Sequence, residues 1–296
     1  MLSKRLRISA DGPEFSRIGL GLWRLDSWSF SPQQTLTFVQ QCVELGVTTM
    51  DHADIYDSEE LFGQALALAP SLRDKMEIVT KCGIVVRDEP SLLRVPHYDT
   101  SREHILASLD NSLRLLGTDF VDVLLIHRPD PLMQADEVAE AFTTLHKAGK
   151  VKHFGVSNFT PAQFDLLASR IPLVTNQIEL SPMHLEPLTD GTLDQCQQHL
   201  ISPMIWSALA GGRLFGEQTE RAQRLRHVLE VLSADLGVSV TTLVYVWLLQ
   251  HPSSPVVLVG SCRFQVVQEA VAALDMTLSR EHWFAIWSAS NGNYVP

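Results

Sequence analysis

The stretch TTMDHADIYDSEELFG, residues 48–63, joins an apolar strand pattern to the opening of a helix. Asp51, His52, Asp54 and Tyr56 stand at the join. In a protein built from parallel strands and helices, the ends where strands hand over to helices form the functional rim. Two carboxylates, an imidazole and a phenol at such a place read as chemistry, provided the rest of the chain repeats the same strand-to-helix alternation.

It does. Short apolar runs recur at 18–23 (IGLGLW), 48–52 (TTMDH), 77–82 (EIVTKC), 121–127 (VDVLLIH), 151–157 (VKHFGVS), 173–179 (LVTNQIE), 203–209 (PMIWSAL) and 254–260 (SPVVLVG). Most are continuous in aliphatic and β-branched residues, the pattern of strands buried on both faces. Helical stretches separate them. SPQQTLTFVQQCVELG has Ser31 as N-cap, Pro32 at the first helical position, and Leu36, Val39 and Val43 on one face. TSREHILASLDNSLRLLG starts on Thr100 or Ser101 and stops at Gly117, and TPAQFDLLASR repeats the Thr-Pro start at Thr160 and Pro161. Eight strands in alternation with helices predict a (β/α)8 barrel, one domain spanning 1–296. A doubly wound sheet is the alternative, but GLGLWRL carries Gly19 and Gly21 without the third glycine of a dinucleotide fingerprint. Three additions are expected. Residues 1–16 form an N-terminal hairpin-like segment closing the barrel bottom. Helices at 221–236 and 240–250 precede strand eight, split at Gly237. A last helix covers 279–290. Residues 83–100 form a long loop of functional length.

Composition narrows the function. The chain of 296 residues has a net charge of −11 and no basic run, against nucleic-acid binding. Four scattered cysteines (Cys42, Cys82, Cys196, Cys262) contain no C-x-x-C pair, which fits a reducing cytoplasm and no structural metal. No apolar run reaches the length of about 18 residues that a membrane helix needs, and the start MLSKRLRISADG lacks an apolar targeting core.

Nearly every strand end carries a group with chemistry: Asp51 with Tyr56, Lys81, His127, Ser157 with Asn158, Gln177, Trp206 with Ser207, Gly260 with Ser261. A tyrosine titrates near 10 when unperturbed, and a lysine ammonium beside it stabilises phenolate. A carboxylate would hold that lysine in place, and an imidazole could orient a carbonyl. Asp51, Tyr56, Lys81 and His127 therefore supply a general-acid device for a carbonyl oxygen.

At these residues the chain resembles the aldo-keto reductase family. DHADIYDSEELFGQAL is similar to its Asp-x4-Tyr-x2-Glu-x3-Gly pattern, with Glu59 and Gly63 in register. EIVTKC, DVLLIHRPDP, GKVKHFGVSNFTPAQ, TNQIELSP, WSALAGGRL and VVLVGSCRFQVVQEA resemble successive family motifs in order, over roughly residues 15–275. The resemblance implies Tyr56 as proton donor, Lys81 and Asp51 as its tuners, and His127 as the group orienting a small-molecule carbonyl substrate. It implies NADPH as cofactor. Ser157, Asn158, Gln177 and Asp51 would meet the nicotinamide end, and Trp206 would stack on its ring. Ser207, Leu209 and Gly211 would line the pyrophosphate. Gly260, Ser261, Arg263 and Glu269 would meet the adenosine end, and Gly21 and Trp23 the first-strand contacts. Substrate would enter between Trp23, Trp28, the 83–100 loop and the 181–190 loop. Two positions depart from the pattern. Val266 stands where the family usually has an arginine, leaving NADH open as cofactor, with Ala270 where an asparagine is usual. Arg128 follows His127 where many members carry an aromatic.

Two other readings remain. His52 and Asp54 resemble an H-x-D metal pair, which in a regular strand would share one face, with His127 and Asp130 as further ligands of a barrel hydrolase. A cofactor-binding regulatory module with little turnover is the third. Neither the natural substrate nor the oligomeric state is readable from the sequence.

Overall fold

The computed structural model describes residues 2–87 and 91–295. Residues 88–90 of the long loop, and the first and last residues of the expected 1–296 domain, lie outside the described residues. Among the described residues twelve strands form: β1 (Arg5–Arg7), β2 (Glu14–Ser16), β3 (Ile18–Gly21), β4 (Thr49–Asp51), β5 (Glu77–Cys82), β6 (Ile84–Val85), β7 (His97–Tyr98), β8 (Val121–Ile126), β9 (Val151–Ser157), β10 (Asn176–Glu179), β11 (Met204–Trp206) and β12 (Val256–Val259).

Eight of them, β3, β4, β5, β8, β9, β10, β11 and β12, close into a parallel barrel in chain order. These are the eight apolar runs; β5 and β9 match theirs residue for residue, and the other six are shorter than theirs. Val79, Val123, Leu125, Val174, Met204, Val256 and Leu258 fill the barrel interior together with Ile8 and Phe15. The last two come from the N-terminal segment. There β1 and β2 pair antiparallel, and the Ile8 carbonyl accepts from the Ser202 amide at 2.7 Å. Residues 2–16 thus plug one end of the barrel with apolar side chains and leave the other end open.

The helices form where their start and stop signals stand. Ser31 and Thr160 each make a full capping box, with Gln34 and Gln163 returning the bond. Ser101, not Thr100, caps Arg102–Leu116, which ends on left-handed Gly117. Glu220–Leu236 and Val240–Leu249 precede β12, divided by left-handed Gly237, and Arg280–Asn291 closes the chain. Gly63 has a packing reason. The helix Ser58–Ala67 crosses Arg102–Leu116 so closely that a Cβ at 63 would collide with the Leu115 carbonyl. The 83–100 segment pairs β6 with β7 antiparallel and carries exposed Leu92 and Leu93. Among the described residues, no single helix is long and apolar enough to cross a membrane.

Candidate active site

A cleft of about 350 Å³ opens at the C-terminal ends of the barrel strands. That is the size range of small-molecule sites. Strand register builds its floor: Gly21 lies beside Asp51, and Ser157 beside Gln177. Asp51 is the last residue of β4 and reaches inward. Its Oδ2 accepts from Lys81 Nζ at 2.8 Å, and its Oδ1 accepts from Gln177 Nε2 at 2.7 Å. Lys81 also donates to the His52 carbonyl at 2.7 Å and is buried beneath the cleft surface. The ammonium lies 5.2 Å from the centre of the Tyr56 ring. Tyr56 comes back over the pair from the turn after β4, and its Oη lies 3.3 Å from His127 Nε2. Asp51, Tyr56, Lys81 and His127 therefore converge, from the ends of three neighbouring barrel strands, β4, β5 and β8, and the turn after β4.

The electrostatics refine the expectation for Tyr56. Burial raises its pKa above 10, and the Lys81 charge opposes that rise without reversing it. The lysine charge alone would lower it, but desolvation of the half-buried phenol outweighs that charge. The phenol is consequently protonated at neutral pH. Burial, with the Lys81 and Arg128 charges, drives the His127 pKa down to about 2, so the imidazole is neutral. Its Nδ1 is buried with no partner among the described residues.

The other half of the cleft fits a dinucleotide. Trp206 presents a flat indole, fixed by its Nε1 donating to Asn158 Oδ1 at 3.1 Å. Asn158 Nδ2 donates to Ser157 Oγ, and Ser157 Oγ donates to the Gln177 carbonyl. Asn158 and Ser207 both adopt left-handed backbone just past their strands (φ 60° and 55°). Ala210, Gly211 and Gly212 continue that conformation. Successive residues of this kind turn backbone N–H groups into a concavity suited to anions. The helix Phe264–Ala272 begins beside it with no side-chain cap, at Gly260, Ser261 and Arg263. Left-handed turns, an uncapped helix start, an arginine and a pinned flat ring together match a nicotinamide dinucleotide: flat ring at one end, phosphates at the other.

Of the expected site residues, Gly21, Trp23, Asp51, Tyr56, His127, Ser157, Asn158, Gln177, Trp206, Ser207, Leu209, Gly211, Gly260, Ser261 and Arg263 line the cleft. Lys81, buried beneath the floor, does not, nor do Trp28 and Glu269. Trp28 packs edge-on against Phe30 and Phe38, covering the apolar face of Pro32–Glu44. Glu269 accepts from Gln265 along its own helix. The described parts of the 83–100 and 181–190 loops also stay off the lining. Arg24, Gly212, Phe215 and Tyr245 join it unforeseen. Arg24 donates to the Gly211 carbonyl at 3.3 Å and so ties the 207–212 turn to the first strand. Its position directly after Trp23 was the available signal. Val266 lines the wall without charge, and Arg128 lies over the Trp206 ring.

His52 and Asp54 part company. His52 Nδ1 meets Ser58 Oγ at 3.0 Å and its ring packs on Phe62, whereas Asp54 bonds Ser108. The shared-face expectation required a regular strand through residue 54, and β4 ends at Asp51. Among the described residues, no three His, Cys, Asp or Glu side chains converge as metal ligands would.

Comparisons with known proteins agree with this geometry. A family described as the Aldo/keto reductase family matches residues 17–291. Oxidoreductase YdhF of Escherichia coli is 51% identical over 99% of this chain and 99% of its own. The 6-dehydroglucose reductase of Agrobacterium fabrum is 43% identical, again over 99% of both. The solved structure of a glycerol dehydrogenase from Gluconobacter oxydans superposes with a TM-score of 0.85 at 25% identity, covering 100% of this chain and 98% of that one. The protein is thus an NAD(P)H-dependent oxidoreductase of carbonyl and alcohol groups, and the chain belongs to the aldo-keto reductase family.

Proposed function

We propose that this protein reduces an aldehyde or ketone to an alcohol with NADPH, and that Tyr56 is the general acid. The observation that carries the reading is the Tyr56 Oη, set 3.3 Å from neutral His127 Nε2 and above the Lys81–Asp51 pair. When bound, NADPH supplies a hydride to the carbonyl carbon. The residues of this chain do the rest. Tyr56 and His127 face the same point, so one carbonyl oxygen can be held by both. Tyr56 Oη–H is the proton source, and its raised pKa keeps that proton available throughout the neutral range. As the proton leaves, the Lys81 charge stabilises the phenolate. Asp51 holds Lys81 in place, and Gln177 holds Asp51. Trp206, pinned by Asn158, offers the platform that would fix which face of a flat ring points at the substrate. The 207–212 turn and the start of Phe264–Ala272 would hold the phosphates, with Arg263 as the cation favouring NADPH over NADH. The four cysteines are unpaired, and a reducing cytoplasmic setting suits them.

Tyr56→Phe keeps the ring and deletes the acid. It should lower single-turnover oxidation of NADPH by a reactive aldehyde about 10²–10⁴-fold, with cofactor affinity close to wild type. Undiminished hydride transfer in this variant would remove Tyr56 from its role. Absence of any hydride transfer in the wild type would favour a cofactor-binding module.

A further inference from the structure

Arg128 is the charged side chain beside the reacting pair that this chemistry leaves unused. It directly follows His127, and Pro129 behind it disfavours helical backbone at 128. It lines the cleft with Tyr56 and His127. Its positive charge lies close enough to pull the pKa of both downward.

The guanidinium carbon sits 5.5 Å from the centre of the Trp206 ring. A cation over an aromatic face spends none of its N–H donors, and the five of Arg128 have no hydrogen-bond partner among the described residues. The acid nearest in sequence does not take them. Asp130 accepts from Thr100 Oγ1 and from the Leu132 amide, both at 2.8 Å, and is thereby turned to the loop behind. Of the two other arginines that line the cleft, Arg24 is engaged with the Gly211 carbonyl, and Arg263 stands at the start of Phe264–Ala272, where the proposed function gives it to the cofactor. The structure therefore holds a half-buried fork of unpaired donors in the same cleft wall as Tyr56 and His127. Planar forks of this kind match carboxylate and phosphate oxygens two at a time.

We infer that Arg128 selects the substrate, binding a carboxylate or phosphate group carried a few atoms from the carbonyl that Tyr56 and His127 hold. This rests on the carbonyl-reductase reading and adds the substrate class to it. The chain's net charge of −11 opposes anions at long range. The preference must then arise from this local contact, and it should vanish with the side chain.

The test uses full-length wild type, Arg128→Gln and Arg128→Lys with NADPH and two matched pairs: butanal against succinic semialdehyde, and glyceraldehyde against glyceraldehyde 3-phosphate. The wild type should favour the anionic member of at least one pair about tenfold or more in kcat/KM, the size of a charge-assisted hydrogen bond. Which pair responds tells carboxylate from phosphate. In Arg128→Gln the anionic member should lose about tenfold more than its neutral partner, mainly through KM. Arg128→Lys should recover part of the loss. NADPH affinity, read from quenching of tryptophan fluorescence, should not account for it. Equal treatment of neutral and anionic members by the wild type overturns the inference. So does an equal loss on all four substrates in Arg128→Gln, which would put the charge on the reacting oxygen or on the cofactor. Reduction of neutral aldehydes that depends on Tyr56 but shows no anion preference sinks this inference alone. Inertness of the wild type toward every carbonyl sinks the reductase reading and this one with it.

Discussion

Replacing Lys81 by methionine removes an ammonium and keeps a chain of similar length. The lysine side chain is 2% exposed and its Asp51 partner 6%, at 2.8 Å. At an effective dielectric constant of about 20, their attraction is about 6 kcal/mol. Much of that is offset by the cost of drying both ions, so the pair as a whole adds little stability. Breaking it from one side is different. Asp51 would stay buried with Gln177 as its remaining side-chain donor, and the His52 carbonyl would lose a donor. Lys81→Met should therefore destabilise by about 3–5 kcal/mol. Removing both charges in Asp51→Asn/Lys81→Met should recover about 2 kcal/mol or more of that loss. Neither protein should reduce carbonyls at more than about one hundredth of the wild-type rate. Urea unfolding followed by tryptophan fluorescence gives the stabilities, and NADPH oxidation gives the activities. A double variant no more stable than Lys81→Met, or a single variant losing under about 1 kcal/mol, would refute the view that the pair is maintained for chemistry at a cost in stability.

Glu59 is fully buried and accepts from Thr80 Oγ1 at 2.5 Å; burial raises its pKa from 4.5 to about 7. Between those values the native state binds more protons than the unfolded chain, so this group's contribution to stability falls as pH rises, by about 3 kcal/mol across the window. Glu59→Gln should be more stable than wild type at pH 8 and converge with it near pH 4, measured by thermal unfolding; the same offset at both pH values would contradict a neutral Glu59. Arg263→Ala should weaken NADPH binding about tenfold or more while leaving NADH nearly unchanged, because Val266 adds no second cation. Equal effects on both cofactors in a direct titration would exclude a contact with the 2′-phosphate.

The alternation of eight apolar runs, the capping boxes at Ser31 and Thr160, the glycine stop at Gly117 and the polar group at nearly every strand end were all local, and local pattern is what a sequence displays. So the barrel, the N-terminal hairpin that closes it, and the meeting of Asp51, Tyr56, Lys81 and His127 followed from reading along the chain. Other features depended on through-space neighbours. Gln177 reaches Asp51 across 126 positions of sequence. Tyr56 is raised rather than lowered because the depth of burial, which no spacing encodes, outweighs the lysine charge. Trp28 turned to the helix beside it because an apolar helix face had to be covered. His52 and Asp54 diverged because β4 ended before alternation could align them. Arg128 was visible as a departure, but its place over the Trp206 ring and its freedom from Asp130 needed packing to decide them. Composition and periodicity determined the barrel and which groups stand on its rim; only the closed fold decided which way each one points and how dry its surroundings are, because those depend on contacts between strands far apart in the chain.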